Sequence, residues 1–206
     1  MRIPKHIGII PDGNRRWALE KGLKKHSGYD NGLKPGIELL KICKEIGIEE
    51  ITYYGFTVDN TKRPKIQRLA FTNACIKAVS LITKENAELL ILGNSKSKVF
   101  PQELLKYTKR QIIGDGGTKV NFLVNYSWEW DLGIRENKNI TIKSNDVSRI
   151  DLVIRWGGRQ RLSGFLPIQT VYSDFYFIKE YWPNFKKEHV IEAINWYSKQ
   201  DITLGG

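Results

Sequence analysis

Five short apolar runs limit what this chain can fold into: His6–Ile10, Ile51–Phe56, Leu89–Leu92, Val120–Tyr126 and Leu152–Ile154. Segments with helical spacing lie between most of them. After Pro11-Asp12-Gly13-Asn14, the stretch RRWALEKG reads as a short helix, with Asn14 as N-cap and Gly22 as stop. Lys24 to Gly32 is polar and Gly-rich, a loop. A longer helix then runs to about Ile46, with Leu39, Leu40, Cys43 and Ile46 on one face and Gly47 closing it, and Pro35 either belongs in its first turn or marks a later start. Another follows Pro64, its apolar stripe marked by Leu69, Cys75, Ile76, Val79 and Ile82. Pro101 is expected to open one more, reaching about Ile113. Strands alternating with helices predict an α/β fold: a single domain over 1–206, with a central, mostly parallel sheet flanked by helices and right-handed crossovers.

At 206 residues the chain is long enough to bury a real core, and 41% hydrophobic with 27% charged residues suits a soluble globular protein. No apolar run approaches the roughly 18 residues of a membrane span. The opening MRIPKHIGIIPDG lacks the long apolar segment and small-residue cleavage site of a signal peptide, so a cytoplasmic protein is expected. Cys43 and Cys75 fall in helical patterns without metal-like spacing and read as reduced core thiols. A formal charge of +11 suits nucleic acid, an anionic membrane surface or a phosphorylated substrate, and does not choose among them.

The chemistry concentrates after two of the apolar runs. In DLVIRWGGRQRLSGF (Asp151–Phe165), a buried strand ends in Arg155, Arg159 and Arg161, with Gly157, Gly158 and Ser163 among them. Arginine forks match phosphate oxygens, glycines let backbone N–H groups approach an anion, and ligands of open α/β sheets bind where strands end. This predicts a polyanion site. After His6–Ile10 comes a strand, Asp-Gly, helix arrangement that offers free N–H groups and a positive dipole end beside Arg15 and Arg16. Asp12 there either caps a turn or holds a divalent cation that bridges to phosphate. The C-terminal part is rich in aromatics, from Tyr172 to Tyr197, which reads as core packing or a subunit interface. Asp174 in its midst needs a cation or hydrogen-bond donors.

In order along the chain, HIGIIPDGNRRWA (His6–Ala18), GFTVDNTKRP (Gly55–Pro64), VNFLVNY (Val120–Tyr126), DLVIRWGGRQRLSGFLPIQTVYSDFYF (Asp151–Phe177) and WPNF (Trp182–Phe185) together resemble the cis-prenyltransferase family. The resemblance implies a single α/β domain with an apolar tunnel between helices and sheet. It implies Mg²⁺ held by Asp12 on a diphosphate, with Asp174 standing where the family has a metal-associated Glu. Gly13, Asn14, Arg15, Arg16, Trp17 and Lys25 would bind an allylic prenyl diphosphate. Arg155, Arg161 and Ser163 would grip isopentenyl diphosphate. Thr57, Asn60 and Arg63 match a mobile catalytic loop that draws off a proton and diphosphate. A homodimer is implied, with a heterodimer as the alternative, the partner's Gly205 and Gly206 completing part of the site, and peripheral membrane contact for long products.

Several positions depart from the family pattern. Arg159 replaces a Glu, Tyr29 a His and Thr61 a Trp, while Tyr126-Ser127-Trp128-Glu129-Trp130 replaces Tyr-Gly-Gly-Arg. Phe165-Leu166-Pro167 stands where regular enzymes have Leu-Leu-Trp, and the segment before Asp151 is short. Three readings follow: a cis-prenyltransferase with a short- or medium-chain product, an irregular head-to-middle synthase of the lavandulyl or cyclolavandulyl kind, and a non-catalytic partner subunit. Nucleic-acid binding explains the charge and none of the ordered motifs, so only weak, salt-sensitive binding is expected.

Overall fold

The computed structural model describes residues 2–134 and 142–201. Among these, β1 (His6–Ile10), β2 (Glu50–Thr57), β3 (Ala87–Leu92), β4 (Gln111–Ile113), β5 (Lys119–Tyr126), β6 (Leu152–Arg155) and β7 (Asp174–Phe177) form one sheet ordered β4-β3-β5-β2-β1-β6-β7. Neighbours are parallel except the β3–β4 pair at one edge. The α-helices are α1 (Asn14–Glu20), α2 (Leu33–Ile46), α3 (Lys65–Ile82), α4 (Trp128–Asp131) and α5 (Lys187–Tyr197).

Successive strand residues face opposite sides of a sheet, and the core divides accordingly. Ile7 and Ile9 of β1, Val120 and Val124 of β5, and Leu152 and Ile154 of β6 join the apolar residues of α2, α3 and α5. Ile10, Leu123 and Val153 turn the other way, onto Val147, Ile150, Phe165 and Leu166 of the covering loops. Near-continuous apolar runs, buried on both faces, are what a parallel sheet requires. Each buried Leu or Ile stabilises the fold by about 1.5–3 kcal/mol.

Helix α2 ends as its sequence dictates. Gly47 takes a left-handed conformation (φ 89°), and the N–H groups of Gly47 and Ile48 reach the Cys43 carbonyl at 3.1 and 2.9 Å. Burial pushes the thiols of Cys43 and Cys75 up to about 12, so both stay neutral. Among the described residues no helix is long and apolar enough to cross a membrane.

Four local expectations change. Residues 101–113 are not one helix: a 3-10 turn, Gln102–Tyr107, gives way to the antiparallel edge strand β4. The Arg110 guanidinium is drawn to the Glu88 carbonyl at 3.0 Å and to Asn121 Oδ1 at 2.8 Å, a tie to the sheet that a continuing helix would break. The Lys24–Gly32 loop contains two 3-10 turns, Lys25–Gly28 and Asp30–Gly32. Gly13 (φ 102°) rather than Asn14 occupies the N-cap of α1, and Asn14 Nδ2 donates back to the Pro11 carbonyl at 2.8 Å. The aromatic run Asp174–Phe177 adds a seventh strand at the free parallel edge.

Candidate active site

The register of β1 against β6 sets Ile10 beside Arg155, so the segments that follow leave the sheet side by side. Arg155 is only 3% exposed. Its NH2 donates to Asp12 Oδ2 at 2.9 Å, and its NH1 donates to Ser163 Oγ at 2.9 Å and to the Arg161 carbonyl. Arg16, one turn into α1, reaches Asp12 Oδ1 at 3.3 Å and the Gly157 carbonyl at 2.9 Å. Burial alone would push the Asp12 carboxyl up. The hydrogen bond and charge of Arg155, then the charge of Arg16 and the Gly13 N–H, outweigh it and hold the group below its ordinary value. Asp12 is therefore an anion ringed by fixed cations.

Glycine makes this convergence possible at two points. A Cβ on Gly13 would lie 2.5 Å from the Tyr181 ring, and one on Gly157 (φ 83°) would lie 2.7 Å from Arg16 NH2 and 3.1 Å from the Asp12 backbone. Tyr54 supports the far side: its hydroxyl donates to the Ser163 carbonyl at 2.7 Å, where Ser163 is held at φ 57°.

These groups form the mouth of a cavity of about 640 Å³. Asp12, Gly13, Asn14, Arg15, Arg16, Lys25, Thr57, Asn60, Arg63, Arg155, Arg161 and Ser163 all line it, as does Arg159. Its deeper walls are apolar: Leu33 and Ile37 of α2, Phe71, Ala74, Ala78 and Ile82 of α3, and Phe122 of β5. Tyr53 crosses from β2 to donate its hydroxyl to the Gly36 carbonyl at 2.9 Å. Side chains from five or more separate segments thus build a charged head and an apolar tail. The apolar tail was expected only through the family resemblance, which assigned no residues to it. Its available signal was Ala74 and Ala78, small residues four apart on α3, opposite Gly36.

Two candidate residues lie elsewhere. Trp17 points off the cavity and donates Nε1 to Asn184 Oδ1 at 2.8 Å. Asp174 begins β7, opposite Leu152, at the end of the sheet away from Asp12. Its nearest cation is Arg2 at 4.0 Å, and burial raises its carboxyl above the ordinary value against the pull of Arg2. A shared metal between Asp12 and Asp174 within one chain is therefore excluded by distance along the sheet. Gly205 and Gly206 lie outside the described residues.

Among the described residues no three His, Cys, Asp or Glu come together. The head offers Asp12 as an ionised carboxylate, with the buried Asn14 Oδ1 and Arg155 Nε lacking protein partners. That donor set does not make a closed metal centre. It fits a Mg²⁺ ion that arrives on a diphosphate and takes one protein carboxylate, since this ion keeps phosphate oxygens and waters as its other ligands.

Residues 10–205 match the family described as undecaprenyl diphosphate synthase, and the chain belongs to this family of cis-prenyltransferases. The ditrans,polycis-undecaprenyl-diphosphate synthase ((2E,6E)-farnesyl-diphosphate specific) of Yersinia pseudotuberculosis is 30% identical over 230 residues, spanning 100% of this chain and 91% of that protein. An isoprenyl transferase of Thermotoga maritima is 31% identical over 233 residues, spanning 100% of this chain and 98% of its own. The crystal structure of lavandulyl diphosphate synthase from Lavandula x intermedia in complex with dimethylallyl diphosphate superimposes with a TM-score of 0.83 over 99% of both chains, at 20% identity, a likeness of fold alone.

Proposed function

We propose that this prenyltransferase condenses isopentenyl diphosphate with an allylic prenyl diphosphate, in a Mg²⁺-dependent reaction that creates a Z double bond. The observation that carries the reading is the ring of Arg155, Arg16 and Asp12 at the mouth of an apolar cavity. A prenyl diphosphate has the same division, a multiply charged anionic head on a hydrocarbon tail.

In this reading Gly13, Asn14, Arg15, Arg16 and Lys25 hold the allylic diphosphate, with Asp12 offering its carboxylate to the accompanying Mg²⁺. Bound there, Mg²⁺ neutralises charge on the departing diphosphate. Arg155, Arg161 and Ser163 hold the isopentenyl diphosphate. Arg155 NH1 already donates to Ser163 Oγ, which leaves the Ser163 hydroxyl hydrogen for a phosphate oxygen. The C–O bond of the allylic substrate breaks and its electron pair leaves with diphosphate. The isopentenyl double bond attacks the allylic carbon, and a proton leaves the adjacent methylene for a diphosphate oxygen. Fixed cations stabilise the leaving group without reorganising, and the apolar walls keep water from the carbocation. Thr57, Asn60 and Arg63 stand beside the head, where diphosphate and proton depart. A short- to medium-chain product suits a cavity of about 640 Å³. The half-buried β7 edge, where Phe175 and Phe177 stack at 6.2 Å, supports association of two copies.

A second reading, head-to-middle joining of two allylic diphosphates, draws on Arg159, an exposed cation at the cavity where relatives of the regular kind carry an acid. One experiment separates the two. Dimethylallyl, geranyl, farnesyl and geranylgeranyl diphosphates are incubated with Mg²⁺, with and without isopentenyl diphosphate, and products are weighed by mass spectrometry. Products that grow by five carbons only when isopentenyl diphosphate is present support the first reading. Branched products from allylic diphosphate alone overturn it.

A further inference from the structure

Arg63 reaches the head of the cavity from the end of the Val58–Lys62 turn, and something must hold its long side chain there. Its NH1 donates to the Tyr29 hydroxyl at 3.0 Å. Tyr29 comes from a different segment, directly after the Lys25–Gly28 turn, and is 5% exposed. Its ring lies flat on Phe71 of α3, with centroids 4.5 Å apart and planes 7° from parallel. Phe71 is in turn fixed edge-on by Phe56, and Arg63 sits 5.6 Å above the Phe71 ring. The phenol oxygen therefore has one position, and so does the guanidinium bound to it.

We propose that Tyr29 is a positioning residue for Arg63, aiming its guanidinium at the diphosphate through one hydrogen bond from a stacked ring. The tie uses NH1. Among the described residues the other side-chain N–H groups of Arg63 make no hydrogen bond to protein, which leaves that side of the fork for phosphate oxygens. Burial pulls Arg63 below its ordinary value, and Arg15 adds to this, while Tyr29 and Asp12 act against it. A guanidinium half out of water and facing Arg15 needs such an anchor. The same bond joins the segment carrying Lys25 to the one carrying Asn60, so both head-binding segments share one brace.

The inference rests on the role given to Arg63 above, and its test separates the two. Full-length wild type, Tyr29→Phe, Tyr29→His, Arg63→Ala and the double variant Tyr29→Phe/Arg63→Ala are compared by steady-state kinetics. The substrates are isopentenyl diphosphate and the allylic diphosphate turned over fastest. Losing a hydrogen bond to a charged group predicts that Tyr29→Phe lowers kcat about tenfold or more, with the KM for isopentenyl diphosphate little changed. In the Arg63→Ala background the same change should cost nothing further. Tyr29→His supplies a neutral nitrogen acceptor at pH 8 and should restore much of the rate, with a new acidic limb near the ordinary imidazole value of about 6.5. Calorimetric binding of inorganic pyrophosphate repeats the comparison without turnover, Tyr29→Phe and Arg63→Ala weakening it and the double variant weakening it no more than Arg63→Ala. A full rate and full affinity in Tyr29→Phe, with both impaired in Arg63→Ala, would overturn the tether alone. Equal losses in both backgrounds would reduce Tyr29 to a packing residue. An Arg63→Ala protein matching wild type in rate and affinity would overturn the role of Arg63 and the tether together.

Discussion

Asp12 and Arg155 are 143 residues apart in sequence and 2.9 Å apart in space, joined at the carboxyl ends of the adjacent parallel strands β1 and β6. The pair is asymmetric. Arg155 is almost wholly buried, whereas the Asp12 side chain is 33% exposed toward the cavity. Asp12 thus faces the cavity, and in the proposed reaction it would compete with a bound diphosphate for Arg155.

That competition gives a split outcome for Asp12→Ala. Turnover with Mg²⁺ should fall by about 100-fold or more, on the scale of removing a preorganised charge-stabilising group. Binding of inorganic pyrophosphate in the absence of metal should be as tight as in wild type or tighter, because a repelling carboxylate is gone and Arg155 is released. Calorimetry and a condensation assay check the two halves. Near-normal turnover would remove Asp12 from the reaction.

Arg161→Ala addresses the second diphosphate. The backbone carbonyl of Arg161, not its side chain, braces Arg155, so truncation leaves the brace in place. The KM for isopentenyl diphosphate should rise about tenfold or more, with that of the allylic substrate changed much less. Equal changes in both would show that Arg161 does not distinguish the substrates.

At the opposite end of the sheet, a buried polar chain makes stability depend on pH. His6 Nδ1 lies 3.0 Å from the Ser148 carbonyl, and Nε2 lies 2.8 Å from Thr52 Oγ1. Thr52 Oγ1 accepts from Asn121 Nδ2 at 2.9 Å, and Asn121 also donates to Glu50 Oε1 at 2.6 Å. The network assigns a neutral ring, with Nδ1–H donating and Nε2 accepting. Burial lowers His6 below its ordinary 6.5, and the charge of Glu50 only partly offsets it. The unfolded chain therefore takes up this proton first as pH falls. Its contribution to stability is complete above about pH 6.5 and declines below, by at most about 1.4 kcal/mol per pH unit. Urea unfolding at pH 7.5, 6.5 and 5.5 should show this decline, and His6→Gln should flatten it. An identical slope in the two proteins would assign the decline to other groups.

The sheet and the head of the cavity were legible because each rests on contiguous residues. Val153 and Ile154 announce a buried strand, and Arg155 must then emerge at its end, just as Asp12 follows Ile9 and Ile10. What failed depended on partners distant in sequence. Pro101 carries a helix-start signal, yet Arg110 is captured by Asn121 of β5, and the chain straightens into β4. Asp174-Phe175-Tyr176-Phe177 shows no polar–apolar alternation, because this edge strand is half-buried on both faces. Trp17 shares a motif with Arg15 and Arg16, but a helix turns successive residues through about 100°, and Trp17 lands against Asn184. Tyr29 read as a loop substitution. Its bond to Arg63 exists only once α3 sets Phe71 beneath both.

The most direct test of the central claim is the geometry of the first double bond made. Wild-type protein with Mg²⁺, ¹³C-labelled isopentenyl diphosphate and the best allylic starter should give a product whose new trisubstituted double bond is Z by NMR. The signal should vanish in Asp12→Ala. An E double bond, a branched skeleton or an undiminished product from Asp12→Ala would contradict the account.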